Sequence, residues 1–210
     1  MQGYLAGNAI CVVSIALILT GFATSALALS VHRNAFQSQS AGIAQSSVED
    51  ATRYHNDRGL ELLRDSQFQE AIKEFSRVIE LDPYYAQAYL WRGIAHRRAG
   101  DYQASIQDIS TQIQVDPFSA AYYERGLTYL ALGETQKAFD DFNQAISEGS
   151  RDYEWIADSY RQRGLIRKEL GDRSGAIEDF QEAQEIYSRL RLTSTPEYES
   201  LLRELGLLEQ

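Results

Sequence analysis

Residues 86–118 read AQAYLWRGIAHRRAGDYQASIQDISTQIQVDPF. Gly100-Asp101 divides this stretch in two, and Asp116-Pro117 closes it. Glycine tolerates the left-handed conformation that ends a helix, and the aspartate after it can cap the next one. A residue before proline is pushed out of the helical region, so Asp-Pro stops the second segment. The stretch therefore reads as two short helices joined by a tight turn.

The pattern recurs on both sides. Arg-Gly occurs at Arg58-Gly59, Arg92-Gly93, Arg125-Gly126 and Arg163-Gly164, at spacings of 34, 33 and 38 residues. Twelve residues after each glycine stands a small residue: Ala71, Ser105, Ala138 and Ala176. Sixteen after come Phe75, Ile109, Phe142 and Phe180, and nineteen after come Val78, Gln112, Ala145 and Ala183. Gly100, Gly133 and Gly171 each follow a repeat glycine by seven residues and precede an acidic residue; repeat one has Ser66 there instead. Pro83 and Pro117, two of only three prolines, lie 34 apart, each after an aspartate.

This register resembles the tetratricopeptide repeat family, whose unit is a helix pair of about 34 residues. The repeats fall at 52–85, 86–118, 119–152 and 157–190. The departures from the family pattern are Ser105 and Gln112 in repeat two and serines at 150 and 188 where proline is usual. The resemblance implies an all-α fold: a right-handed α-solenoid of four helix pairs. One pair cannot bury its apolar face alone, whereas stacked pairs can. A C-terminal helix over 195–208 is expected to cap the array. Thr195-Pro196-Glu197 is a helix start, and Tyr198, Leu201, Leu202, Leu205 and Leu208 follow at helical spacing.

The spacing of 38 adds Tyr153-Glu154-Trp155-Ile156, about one helical turn. The first helix of repeat four is expected to begin one turn early and keep its phase. Tyr153 and Trp155 then either form a knob for a partner or pack on repeat three, the commoner use of aromatics.

A second regularity departs from the family. The residue before each repeat glycine is Arg58, Arg92, Arg125 or Arg163, and sixteen residues on stand Glu74, Asp108, Asp141 and Asp179. These are expected to form an arginine–carboxylate bridge across each helical pair.

The N-terminal part is different. The 210-residue chain carries a formal charge of −10, yet no charged residue precedes Arg33 and no acidic one precedes Glu49. Residues 9–31 read AICVVSIALILTGFATSALALSV, and as a helix would be about 34 Å long, enough to span a bilayer core. The reading is one N-terminal hydrophobic helix, over 1–31, that anchors the chain in a membrane. The alternative is a signal peptide cleaved after Ala26-Leu27-Ala28. The chain is then membrane-anchored by a single pass or exported to the periplasm or envelope, with its side of the membrane undetermined. Residues 32–50, rich in Ser, Gln and Ala, read as a flexible polar tether.

Composition excludes several functions. The acidic balance lacks the footprint of nucleic-acid binding, and the lone Cys11 leaves no disulfide and no cysteine zinc site. There is no phosphate-cradling loop, dinucleotide glycine pattern or His-Glu-x-x-His. His55 and His96 fall where the family places packing aromatics. The chain therefore reads as a non-enzyme with no cofactor, metal or small-molecule substrate.

In this family the first helices line a concave groove that holds peptides. The resemblance assigns to it Arg53, Asn56, Leu60 and Leu63, then Gln87, Leu90, Ile94 and Arg97, then Ala120, Tyr123, Leu127 and Leu130, then Asp158, Arg161, Leu165 and Lys168. Four bases against Asp158 alone suggest an acidic or C-terminal carboxylate ligand with apolar anchors. The specialised clamp for chaperone tails does not match, since Asn56 and Leu60 stand at its first two positions. The leading reading is a scaffold or adaptor that holds a partner protein or peptide at or beyond a membrane. Assembly of a membrane complex is one such task, and a self-associating envelope component is the alternative.

Overall fold

The computed structural model describes residues 45–149 and 153–206. The chain divides into two compact units, Met1–Asp50 and Ala51–Gln210. The hydrophobic segment 9–31 and most of the tether lie outside the described residues, as do 150–152 and Leu208. Among the described residues no helix is long and apolar enough to cross a membrane.

All regular structure described in the second unit is helical. Residues 45–50, expected to belong to the flexible tether, are helical. In the second unit helix α1 covers 51–64. It is followed by α2 (Phe68–Leu81), α3 (Ala86–Arg98), α4 (Tyr102–Val115), α5 (Ser119–Ala131) and α6 (Thr135–Glu148). Then come α7 (Tyr153–Glu169), α8 (Arg173–Leu190) and α9 (Pro196–Glu204). Partners α3–α4, α5–α6 and α7–α8 pack against each other, and each pair packs on the next. Successive first helices also touch, α3 with α5 and α5 with α7. The unit is a solenoid of helix pairs.

The turns follow from local chemistry. Gly100, Gly133 and Gly171 sit at φ of 88°, 75° and 85°, and Ser66 holds the same left-handed turn at 59°. Asp101 and Asp172 then accept hydrogen bonds from the backbone N–H of Ala104 and Gly175, capping α4 and α8. Asp82 and Asp116, each before a proline, end α2 and α4.

The core repeats with the sequence. All twelve residues at the three recurring offsets are at most 2% exposed. The repeat glycines are where the two helices of a pair come closest. A Cβ at Gly126 would lie 2.8 Å from the ring of Phe142, and one at Gly164 would lie 2.6 Å from Phe180. The two polar departures in repeat two each make a hydrogen bond. Ser105 Oγ lies 3.1 Å from Thr128 Oγ1, and Gln112 Nε2 donates to the carbonyl of Asp116.

Beside each glycine the arginine forms a fork. Arg92, Arg125 and Arg163 donate through Nε and Nη2 to both oxygens of Asp108, Asp141 and Asp179, at 2.6–3.0 Å. Their Nη1 reaches back to the preceding pair: Arg92 to Ser76, Arg125 to Ser110, Arg163 to Asn143. A tyrosine three residues before each arginine (Tyr89, Tyr122, Tyr160) lies under its guanidinium, 5.3–5.8 Å from the ring centroid. Each arginine thus joins three helices.

Repeat one departs from this. Arg58 pairs with Glu61 on its own helix, and Glu74 is taken by His55 Nδ1 at 2.6 Å. The expected Arg58–Glu74 bridge is replaced for two reasons. Arg58 has no described earlier pair to reach back to. His55 occupies the place of the underlying tyrosine and reaches the carboxylate first.

The last pair is longer than the two before it. Helix α7 has 17 residues against 13 in α3 and α5, and α8 has 18 against 14 in α2, α4 and α6. With Ser188 in place of a proline, α8 runs on until Arg191 turns left-handed at φ 59°. The two helices are antiparallel, so the added first turn of α7 lies beside the added last turn of α8, and Tyr153, Ile186, Arg189 and Leu190 line one cleft. Helix α9 then covers the end of the array. Thr195 Oγ1 caps it, accepting from the N–H of Tyr198, and Leu201 is fully buried with Phe180 and Tyr187.

Replacing Arg125 with alanine leaves the 7%-exposed Asp141 carboxylate without its fork. The expected loss is about 3 kcal/mol or more. Arg58→Ala, on the exposed end of the series, is expected to leave the urea midpoint unchanged. Equal effects of the two substitutions in urea unfolding would refute the three-helix role of the fork.

Candidate functional site

The groove side of the unit is formed by α3, α5 and α7. Leu90 and Ile94 from α3 and Ala120 from α5 line a cleft, bounded by Trp91, Phe118 and Trp155, with Gln87 and Glu124 beside them. Leu90, Ile94, Gln87 and Ala120 were readable from repeat positions. Trp91 and Glu124 were not, although each sits three or four residues from a lining position and therefore on the same helical face. Trp155 arrives through the added turn. It packs on Tyr123 at a centroid distance of 5.2 Å and also walls the cleft. Tyr153 is 54% exposed, on the other cleft beside α8.

Several other expected lining residues are engaged in packing. Tyr123 is 6% exposed, its ring near Phe142 and Trp155. Leu127 and Leu130 pack on the same cluster, Leu165 on the last pair, and Leu60 and Leu63 on the first two. Leu90 and Ile94 belong to the core as well, 4% and 3% exposed, so the same apolar residues line the concavity and stack the repeats.

The excess positive charge of the lining is also corrected. Arg97 Nη2 donates to Glu124 at 2.5 Å, and Lys168 Nζ to Glu204 of α9 at 2.5 Å. Arg161 Nε lies 3.8 Å from Asp158. Glu124 and Glu204 are not at the family's lining positions, so a count over those positions omits them. Folding brings them in and balances three of the four bases.

A buried polar cluster closes the groove at the last pair. The Tyr187 hydroxyl donates to Asp158 Oδ1 beside Arg161. Burial raises the Asp158 carboxyl above its ordinary value, against the opposing effects of the Tyr187 hydrogen bond and Arg161. Burial likewise pushes the hydroxyls of Tyr123 and Tyr187 up, so both remain protonated donors. Among the described residues no three potential metal ligands are grouped. His55 and His96 face carboxylates: His55 that of Glu74, His96 those of Asp101 and Asp108 at 3.7 and 3.9 Å. The arrangement offers a surface for binding, with its polar groups paired mostly to one another.

Two family models, both described as tetratricopeptide repeat, match the chain, one over residues 56–111 and the other over 119–148 and 157–189. No curated protein matches. Among solved structures the chain is similar to MamA, with 25% identity, TM-score 0.59, and coverage of 67% of this chain and 81% of that one. It is similar to Pseudomonas aeruginosa PilF at 14% identity, TM-score 0.64, covering 76% and 71%. It is also similar to the second repeat domain of human RPAP3 in complex with the HSP70 peptide SGPTIEEVD, at 21% identity, TM-score 0.50, covering 57% and 98%. The last two likenesses speak for the fold alone.

The Asp158 shift has a testable sign. Its carboxyl is raised in the folded state from 3.8, so the folded chain holds this proton when the unfolded chain has begun to shed it. Its contribution to stability is greatest in acid and falls as pH rises through that window. Asp158→Asn is therefore expected to gain on the parent chain in urea unfolding as pH moves from acid to neutral. The opposite slope would mean that Arg161 and Tyr187 outweigh burial.

Proposed function

We propose that this chain, which carries the helix pairs of the tetratricopeptide-repeat family over 56–111, 119–148 and 157–189, is a non-catalytic scaffold that holds a segment of a partner protein in its groove. One observation supports this most directly. Three successive first helices contribute to a single apolar cleft, around Leu90, Ile94 and Ala120, that nothing else in the described chain fills. A concave, mostly apolar site with few polar groups at its margin is the form that ligand binding takes. Human RPAP3 binds an HSP70 peptide through such repeats; the corresponding partner here is a protein segment, not that peptide, because the clamp residues do not match.

The scaffold works at a membrane in this reading, held there by residues 9–31. The charge-free run of 23 residues supports this, together with its sharp contrast to the acidic repeats. Cleavage near Ala28, with export of the repeats, is the competing outcome.

A photo-crosslinking residue at Gln87, exposed at the margin of the cleft, is expected to capture a partner in cells. The same residue at the exposed Gln107 of α4, on a second helix, is expected not to. Equal capture at both sites, or capture only at Gln107, would overturn the groove reading.

For the membrane, carbonate extraction is expected to leave the intact chain in the membrane pellet. A soluble chain beginning at Leu29 would replace the anchor with a signal peptide.

A further inference from the structure

We infer that the added turn of α7 turns the groove into a specificity pocket for one bulky, uncharged side chain of the partner, a leucine, methionine or aromatic residue. This rests on the groove reading above and names what the groove selects.

Trp155 is one of the four residues by which the last spacing exceeds 34, and neither α3 nor α5 reaches back to the equivalent position. It stands across the cleft from α3, while Ala120, the smallest lining residue, leaves room between them. Leu90 and Ile94 give the site an aliphatic surface. An anchor seated there touches apolar atoms from three helices, which is how buried hot-spot residues are held.

Charge excludes the alternative ligand. Among the described residues lining the cleft Glu124 alone is ionisable, and it is 5% exposed and bound to Arg97. An anionic side chain would meet a carboxylate there and no unpaired cation, and would lose its hydration without return. Arg161 and Lys168 face acidic groups of their own. The exposed amide of Gln87 can serve the partner's main chain. That interaction is independent of side-chain charge.

The test selects peptides from a random phage library on the full-length chain in detergent. The selected peptides are then synthesised and their affinity is measured by fluorescence anisotropy. They are expected to share one bulky apolar residue and to bind almost equally at low and high salt. Binding should weaken at least about tenfold with Trp155→Ala, and likewise with Gln87→Trp, which closes the cleft from its exposed margin. Trp155→Phe should recover part of the loss. Circular dichroism checks folding, and should Trp155→Ala unfold, Gln87→Trp carries the test from a surface position.

Acidic peptides released by salt and indifferent to Trp155→Ala, yet crosslinked at Gln87, would overturn the pocket and leave the groove reading standing. Peptides indifferent to both variants and not crosslinked at Gln87 would overturn both, as would the failure of any peptide to be selected.

Discussion

The contact at each Arg-Gly step governs the rest of the structure. The glycine lets an aromatic or isoleucine ring or chain from the second helix press against the first helix's backbone, and the neighbouring arginine clasps the aspartate just before that residue. The two contacts are one residue apart on each helix, so they fix the same crossing point, one by shape and one by direction. A methyl group at the glycine would intrude on a buried ring with no space to yield. Because the arginine also reaches the preceding pair, the clasp that sets a pair's geometry also sets its stacking on its neighbour. The groove is the concave outcome of repeating that stacking step.

These forks are not the exposed ion pairs that contribute little. The guanidinium of Arg125 is mostly covered, bidentate, and stacked near two tyrosines. Its hydrogen bonds with Asp141 hold it charged, above its ordinary value despite burial. Such a pair is costly to break from one side, because the remaining carboxylate is left in a poor solvent. The end of the series shows the converse. Arg58 and Glu61 pair in the open on one helix, while Glu74 turns to His55.

The groove's character depends on residues outside the repeated positions. Glu124 and Glu204 balance bases that look unopposed in a list of lining positions, and Trp155 adds a wall that the other repeats lack. The longer α7 and α8 belong together: the added turns lie side by side, and Tyr187 near the end of α8 bonds Asp158 near the start of α7. That pairing ties the start of α7 to the end of α8.

The repeat itself was legible in the sequence, because close helix packing demands small residues, glycine turns and a bulky filler at fixed offsets. Those offsets placed twelve residues of the core and the extra turn before repeat four, while Thr195-Pro196-Glu197 marked the start of the capping helix. They also paired arginine with aspartate in three repeats of four. What the tertiary structure decided was every contact that does not recur from repeat to repeat. It decided which lining residues stack and which stay open, which charges meet across 27 or 36 residues of chain, and where His55 and Glu74 find each other. A periodic sequence specifies the contacts that recur in each repeat, since the same rule applies each time. It cannot specify contacts made at the two ends of the array or across an insertion, where the period is broken and geometry alone sets the distance.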